Sequence, residues 1–199
     1  MIAAAEGRYG RPATYDTILH ASAREMEIVR SSQKHGRKHD ITMAIFGEPG
    51  VLVIAKPWYT TGLYRLPSGG LHPGESLEDG AAREGREETG VEMELVRYHL
   101  RIDVDFIGPD DDVIPWTSHV FSARYLSGEV DPEDTDEIRE ARWCPLSDLL
   151  KHRAIMKRSR VSGLRYRAEL QDWLIEHWGH LGWVERRDDE LIVSDRVLT

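Results

Sequence analysis

Between Gly69 and Val91 the chain reads GGLHPGESLEDGAAREGREETGV, and no other stretch limits the possible folds as strongly. Leu77 to Thr89 contains no proline, is rich in Ala, Glu and Arg, and follows the turn sequence His72-Pro73-Gly74. That pattern predicts a loop feeding a helix, with Ser76 as N-cap and Asp79 in the first turn. On such a helix Glu84, Glu87 and Glu88 stand at i, i+3 and i+4, so three carboxylates share one face. Like charges at that spacing repel unless a cation lies between them. A hard divalent ion with oxygen ligands fits, and Mg²⁺ is the usual one where phosphates also bind. The plainer reading, a solvated acidic face, leaves Arg83 and the loop glycines in the same frame unexplained.

The frame Gly69, Glu75, Arg83, Glu84, Glu87, Glu88, Gly90 resembles the Nudix box of hydrolases that cut nucleoside diphosphates linked to another group. The surrounding strand pattern extends the resemblance to roughly Asp40–Leu150. It implies an α/β/α sandwich around a mixed β-sheet, with N- and C-terminal helical extensions. It also implies catalysis by Arg83, Glu84, Glu87 and Glu88. A metal would be held by the Gly69 carbonyl with Glu84, Glu87 and Glu88. The expected ion is Mg²⁺, with Mn²⁺ as a substitute. Glu75 is expected to brace the loop. The family's base is either a box glutamate or an acid in the loop before the last core strand. Here that loop is Asp131–Glu140, and Glu137 best matches the family by its spacing from Trp143. Two positions depart from the family pattern. Gly85 replaces a bulky aliphatic, which predicts a closer helix-to-sheet approach filled by a large strand residue, and Ser68 replaces a glycine.

The expected reaction is attack of water on a phosphoanhydride in a small-molecule nucleotide derivative. Lys56 and Arg65 are candidates to reach a phosphate. Trp58 and Trp116, with Tyr59 and Tyr64, are aromatics on which a base can stack, although core or surface packing is the simpler reading of any one of them. The proline that accompanies the box in many ADP-ribose pyrophosphatases is missing at its usual spacing; the nearest is Pro109. Motifs of the NADH-type and coenzyme-A-type subgroups are also absent. Nothing narrower than nucleoside diphosphate derivatives follows.

A chain of 199 residues with 40% hydrophobic content can bury one substantial core. A net charge of −9 argues against a protein built mainly to hold nucleic acid, but not against a phosphorylated substrate whose charge a metal offsets. The single cysteine, Cys144, precludes an intrachain disulfide and suits a reducing cytoplasm. No apolar run of about 18 residues points to a membrane span, and the N-terminus lacks a signal-peptide pattern.

Three regions are expected. Residues 1–39 form an extension, loose to about residue 12 and then an amphipathic helix over Thr14–Arg30 that covers the sheet or pairs with a second subunit as a homodimer. The run Lys34–His39 reads as a solvated linker, with phosphate binding as the sharper alternative. Residues 40–150 form the hydrolase domain. Its first hairpin joins Ile41–Phe46 to Val51–Lys56, and a long strand at Met93–Phe106, bulged near Val96, pairs with Trp116–Leu126. Residues 151–199 hold a basic stretch, one amphipathic helix and a β-hairpin. The hairpin resembles the wing of a winged-helix domain, so a nucleotide-sensing, DNA-binding regulator is the alternative function. One helix where a helix-turn-helix needs more speaks against it.

Overall fold

The computed structural model describes residues 1–33, 36–187 and 190–194. The chain forms α1 (Ile2–Tyr9), β1 (Ala13–His20), α2 (Ala23–Ser32), β2 (His39–Gly47), β3 (Gly50–Ala55), β4 (Ser68–Gly70), α3 (Leu77–Thr89), β5 (Glu92–Ile107), β6 (Val113–Ser127), β7 (Glu140–Cys144), α4 (Asp148–Lys157), α5 (Ser162–His180), β8 (Val184–Arg187) and β9 (Glu190–Val193). The main sheet runs β1-β5-β6-β2-β3-β7, with β4 paired to β2. It is mixed: β1 lies parallel to β5 and β2 parallel to β6, while the other pairs are antiparallel.

Period-two alternation divides the core between the two faces of this sheet. Ile41, Met43, Ile45 and Leu52 point to a cluster that holds Ala5 of α1 and Leu77 and Ala81 of α3. Ala44, Phe46, Val51 and Val53 point the other way, to Met26 of α2, Leu149 of α4 and Leu174 and Trp178 of α5. The result is the α/β/α sandwich expected from the sequence. The long strand is irregular between Leu95 and Arg97, next to Val96, as expected.

The N-terminal region differs from expectation. Residues 2–9 are helical rather than loose, and α1 buries Ala5 and sets Tyr9 edge-on to Phe121 at 5.7 Å. Thr14–Arg30 is not one helix. Its first half is β1, an edge strand parallel to β5, and only its second half is α2. The spacing of Ile18, Leu19, Met26 and Val29 imitates a helical period. The β-branched and aromatic residues of ATYDTILH, with Leu19 turned inward, favour a strand instead. A capping box between Ser22 and Glu25 marks where α2 starts. Lys34, His35, Asp188 and Asp189 lie outside the described residues.

Helix α3 shows why its sequence is so rich in small residues. Ser76 caps it by accepting from the Asp79 amide at 3.0 Å, and Gly90 ends it in the left-handed region at φ 78°. A Cβ at Gly80 would stand 2.1 Å from Leu71 Cδ2, so the helix lies tightly on the loop before it. At Gly85 the space of the missing side chain is taken by Met93 of β5, whose Cε would be 3.0 Å from a Cβ there. Gly85→Leu is therefore expected to destabilise the fold by ~1–3 kcal/mol through overpacking, despite a helix-propensity gain of ~1 kcal/mol. Chemical denaturation checks this, and a stabilised variant would show that Met93 yields freely.

Candidate active site

The strand ends, the box loop and α3 enclose one side of a cleft of about 690 Å³. Its other side comes from the extensions: Ile28 and Val29 of α2, and Ser162, Gly163, Tyr166 and Arg167 at the start of α5. Ser162 is tied across to α2 through its amide, which donates to the Glu25 carboxylate. Burial pushes that carboxyl up, but the hydrogen bonds from Ser162 and Ser22 outweigh it and hold the group at about 2.

Arg83 is the hub of the floor. It binds both Glu75 oxygens at 2.9 Å, Glu84 at 2.7 Å, Glu87 at 3.0 Å and the Gly70 carbonyl at 3.0 Å. Glu75 also accepts from the His72 amide at 2.8 Å, so it pins the loop to the helix. Hydrogen bonding to Arg83 holds Glu75 below its ordinary range. Glu88 is buried and oriented by two donors, the Ser68 amide at 2.6 Å and Arg65 at 3.4 Å. Gly69 lies flat against Glu84: a Cβ there would fall 1.7 Å from the carboxylate. Only glycine fits that contact.

Burial pushes Glu84 up to about 7 against the opposing pull of Arg83. Glu88 is raised by the same cause, against the pull of Arg65. Two carboxylates held near each other and driven toward protonation form a donor set that a divalent cation relieves. The Gly69 cradle keeps that approach free of side chain. Glu84 and Glu87 rest on Arg83, and among the described residues no three Asp, Glu, His or Cys side chains already converge as a cation cage. Loading the site would require these two carboxylates to turn from the guanidinium toward the ion.

Lys56, Arg65, Gly69, Arg83, Glu84, Glu87, Glu88, Trp116 and Glu137 all line the cleft; Trp58 does not. Trp58 is 58% exposed and stands edge-on to Tyr59 at 4.5 Å. Arg65 is buried and faces inward, donating to Tyr59 Oη, the Leu66 carbonyl and Ser68 Oγ as well as Glu88. Its donors are committed to holding the site together. Glu137 lies on the loop facing α3, and Lys56 reaches it at 2.8 Å.

Asp40, Tyr166 and Arg167, which sequence reasoning passed over, also line the cleft, as do Arg37 of the Lys34–His39 run and Asp134 of the acidic loop. Arg167 binds Asp40 at 2.7 Å and Thr42 at 2.9 Å. A signal existed in Asp40, an acid opening an apolar strand, and in a basic stretch with no acids of its own. Which of its cations turns inward depends on the docking of α5.

Fold and site together define an α/β/α architecture with a carboxylate-lined cleft at the box helix. A family model of the NUDIX domain matches residues 36–162. The chain belongs to the Nudix family. The NAD-capped RNA hydrolase NudC of Photobacterium profundum is 33% identical over 109 residues, 55% of this chain and 38% of that protein. The putative mutator protein MutT4 of Mycobacterium tuberculosis is 34% identical over 114 residues, 57% of this chain and 43% of that one. The chain thus matches less than half the length of these relatives. A crystal structure of a UDP-X diphosphatase shares the fold with a TM-score of 0.52 and 18% identity, over 78% of this chain and 72% of that chain. No helix among the described residues is long and apolar enough to cross a membrane.

Proposed function

We propose that the protein hydrolyses a phosphoanhydride bond in a nucleoside diphosphate linked to another moiety, with Mg²⁺ as its cofactor and Mn²⁺ as a substitute. The observation that carries this reading is the floor of the cleft, where Arg83 gathers Glu84 and Glu87 and the side-chain-free Gly69 packs directly on the Glu84 carboxylate. Glu84, Glu87 and Glu88, with the Gly69 carbonyl, would hold the metal, which supplies charge neutralisation and activation of water when bound. Arg83 sets the orientation of the carboxylates. Arg65 and the Ser68 amide fix Glu88, and Glu75 fixes the loop that carries Gly69.

Glu137 is the assigned general base. It lines the cleft from the loop opposite the helix, where it can take a proton from water approaching a phosphorus atom. Lys56 beside it can meet a phosphoryl oxygen, and Trp116 offers a partly apolar wall to the nucleoside. Two relatives named above are an NAD-capped RNA hydrolase and a putative mutator protein, so dinucleotides and nucleotides both belong in the test. NAD, ADP-ribose, FAD and UDP-glucose are incubated with the protein and Mg²⁺, and phosphate is read after a coupling phosphatase. At least one is expected to be cleaved only when metal is present. Metal-independent release, or none, counts against the proposal.

The regulator alternative gains no support. Arg153 and Lys157 pair with Asp172, and Arg167 pairs with Asp40, so much of the basic stretch is engaged within the fold. Trp178 and Leu174 of α5 are buried in the core rather than presented to a duplex.

A further inference from the structure

We propose that Arg37 is a substrate-binding residue that takes the phosphoryl oxygens of the nucleotide, an assignment that rests on the hydrolase reading above. Among the described residues, five cationic side chains line the cleft: Arg37, Lys56, Arg65, Arg83 and Arg167. Four of them end on carboxylates of the protein. Lys56 meets Glu137, Arg65 meets Glu88, Arg83 meets Glu75, Glu84 and Glu87, and Arg167 meets Asp40. Arg37 differs. Among the described residues it has no carboxylate partner; its Nη2 donates to His72 Nε2, and its Nε is buried with no acceptor.

The position suits the role. Arg37 lies along the box loop, and the absence of a side chain at Gly70 makes room for it. A Cβ at Gly70 would stand 3.2 Å from Arg37 Cδ and 3.4 Å from Nη1. The neighbouring Gly69 is the residue packed flat on Glu84, so the guanidinium sits on the loop that borders the carboxylate set. An arginine presents a planar fork of donors that matches two oxygens of one phosphate. Arg65, Arg83 and Arg167 would each have to give up a carboxylate pair to bind an anion, and Lys56 shares its charge with Glu137. Arg37 has only to exchange its contact with the His72 imidazole for one with a phosphate.

The test combines binding and turnover. ADP is titrated calorimetrically into the wild-type protein, Arg37→Gln and Arg37→Lys in the presence of Mg²⁺. KM and kcat are then measured with whichever of NAD, ADP-ribose, FAD and UDP-glucose is cleaved fastest. Arg37→Gln is expected to weaken ADP binding about tenfold or more, the loss typical of one charge-assisted contact. KM should rise by a similar factor with kcat within about twofold, the pattern of a uniform binding contact. Arg37→Lys should recover part of the affinity, which a merely structural role would not predict. ADP binding that is absent in the wild type, or as tight in Arg37→Gln, overturns the assignment. So does a fall in kcat with KM unchanged. Arg37-dependent ADP binding by a protein that cleaves none of the four compounds would uphold the phosphate site and sink the hydrolase reading. Cleavage with Arg37-independent binding would do the reverse.

Discussion

Glu87→Gln is expected to lower the turnover number by orders of magnitude while leaving the fold intact. Glu87 is the most exposed of the three box carboxylates, with 42% of its side chain accessible, and its carboxylate accepts from Arg83. Substitution at such a position usually changes stability by within about 0.5 kcal/mol. The amide keeps the shape and the capacity to accept from Arg83, but it loses the negative charge that a divalent ion requires. Rate and unfolding midpoint should therefore separate: the first collapses and the second stays. Activity equal to that of the wild type, with Mg²⁺ as the only metal, would remove Glu87 from the metal-binding set.

Ending the chain at Leu150 is expected to abolish cooperative folding. Leu164, Tyr166, Leu170, Leu174, Ile175 and Trp178 all lie beyond that point and are buried in the core cluster on one face of the sheet. At ~1.5–3 kcal/mol for each large apolar side chain withdrawn from water, their loss matches or exceeds the ~5–15 kcal/mol by which a domain is normally stable. The cut also removes Arg167, the salt-bridge partner of buried Asp40. A truncated protein with a sharp, native-like thermal transition would show that the C-terminal helix is an accessory. Aggregation or a broad transition is the expected result.

Much of the site is legible in the amino-acid sequence because it is built from local spacing. Glu84, Glu87 and Glu88 share a face through helix geometry alone, and Ser76 and Gly90 bound that helix through their own chemistry. The core strands are legible for the same reason, since Ile41, Met43 and Ile45 alternate with Ala44 and Phe46. The N-terminal segment misleads because Ile18, Leu19, Met26 and Val29 fit a helical period across a boundary that Ser22 and Glu25 define. The helix at Ile2–Tyr9 is short and holds Gly7, so its order comes from docking Ala5 and Tyr9 on the sheet rather than from propensity. The upper wall of the cleft is hidden for another reason. Tyr166 and Arg167 reach it only through the docking of a helix far along the chain, and no spacing rule encodes that.

Hydrolysis in ¹⁸O-labelled water tests the central claim most directly. The substrate is the member of the NAD, ADP-ribose, FAD and UDP-glucose set that is cleaved fastest, and the products are weighed by mass spectrometry with Mg²⁺ present and after chelation. Attack of water on a phosphoanhydride places one labelled oxygen on one of the two phosphorylated products, and chelation should stop the reaction. Label in a sugar or base product, or cleavage that continues without a divalent ion, would contradict the account.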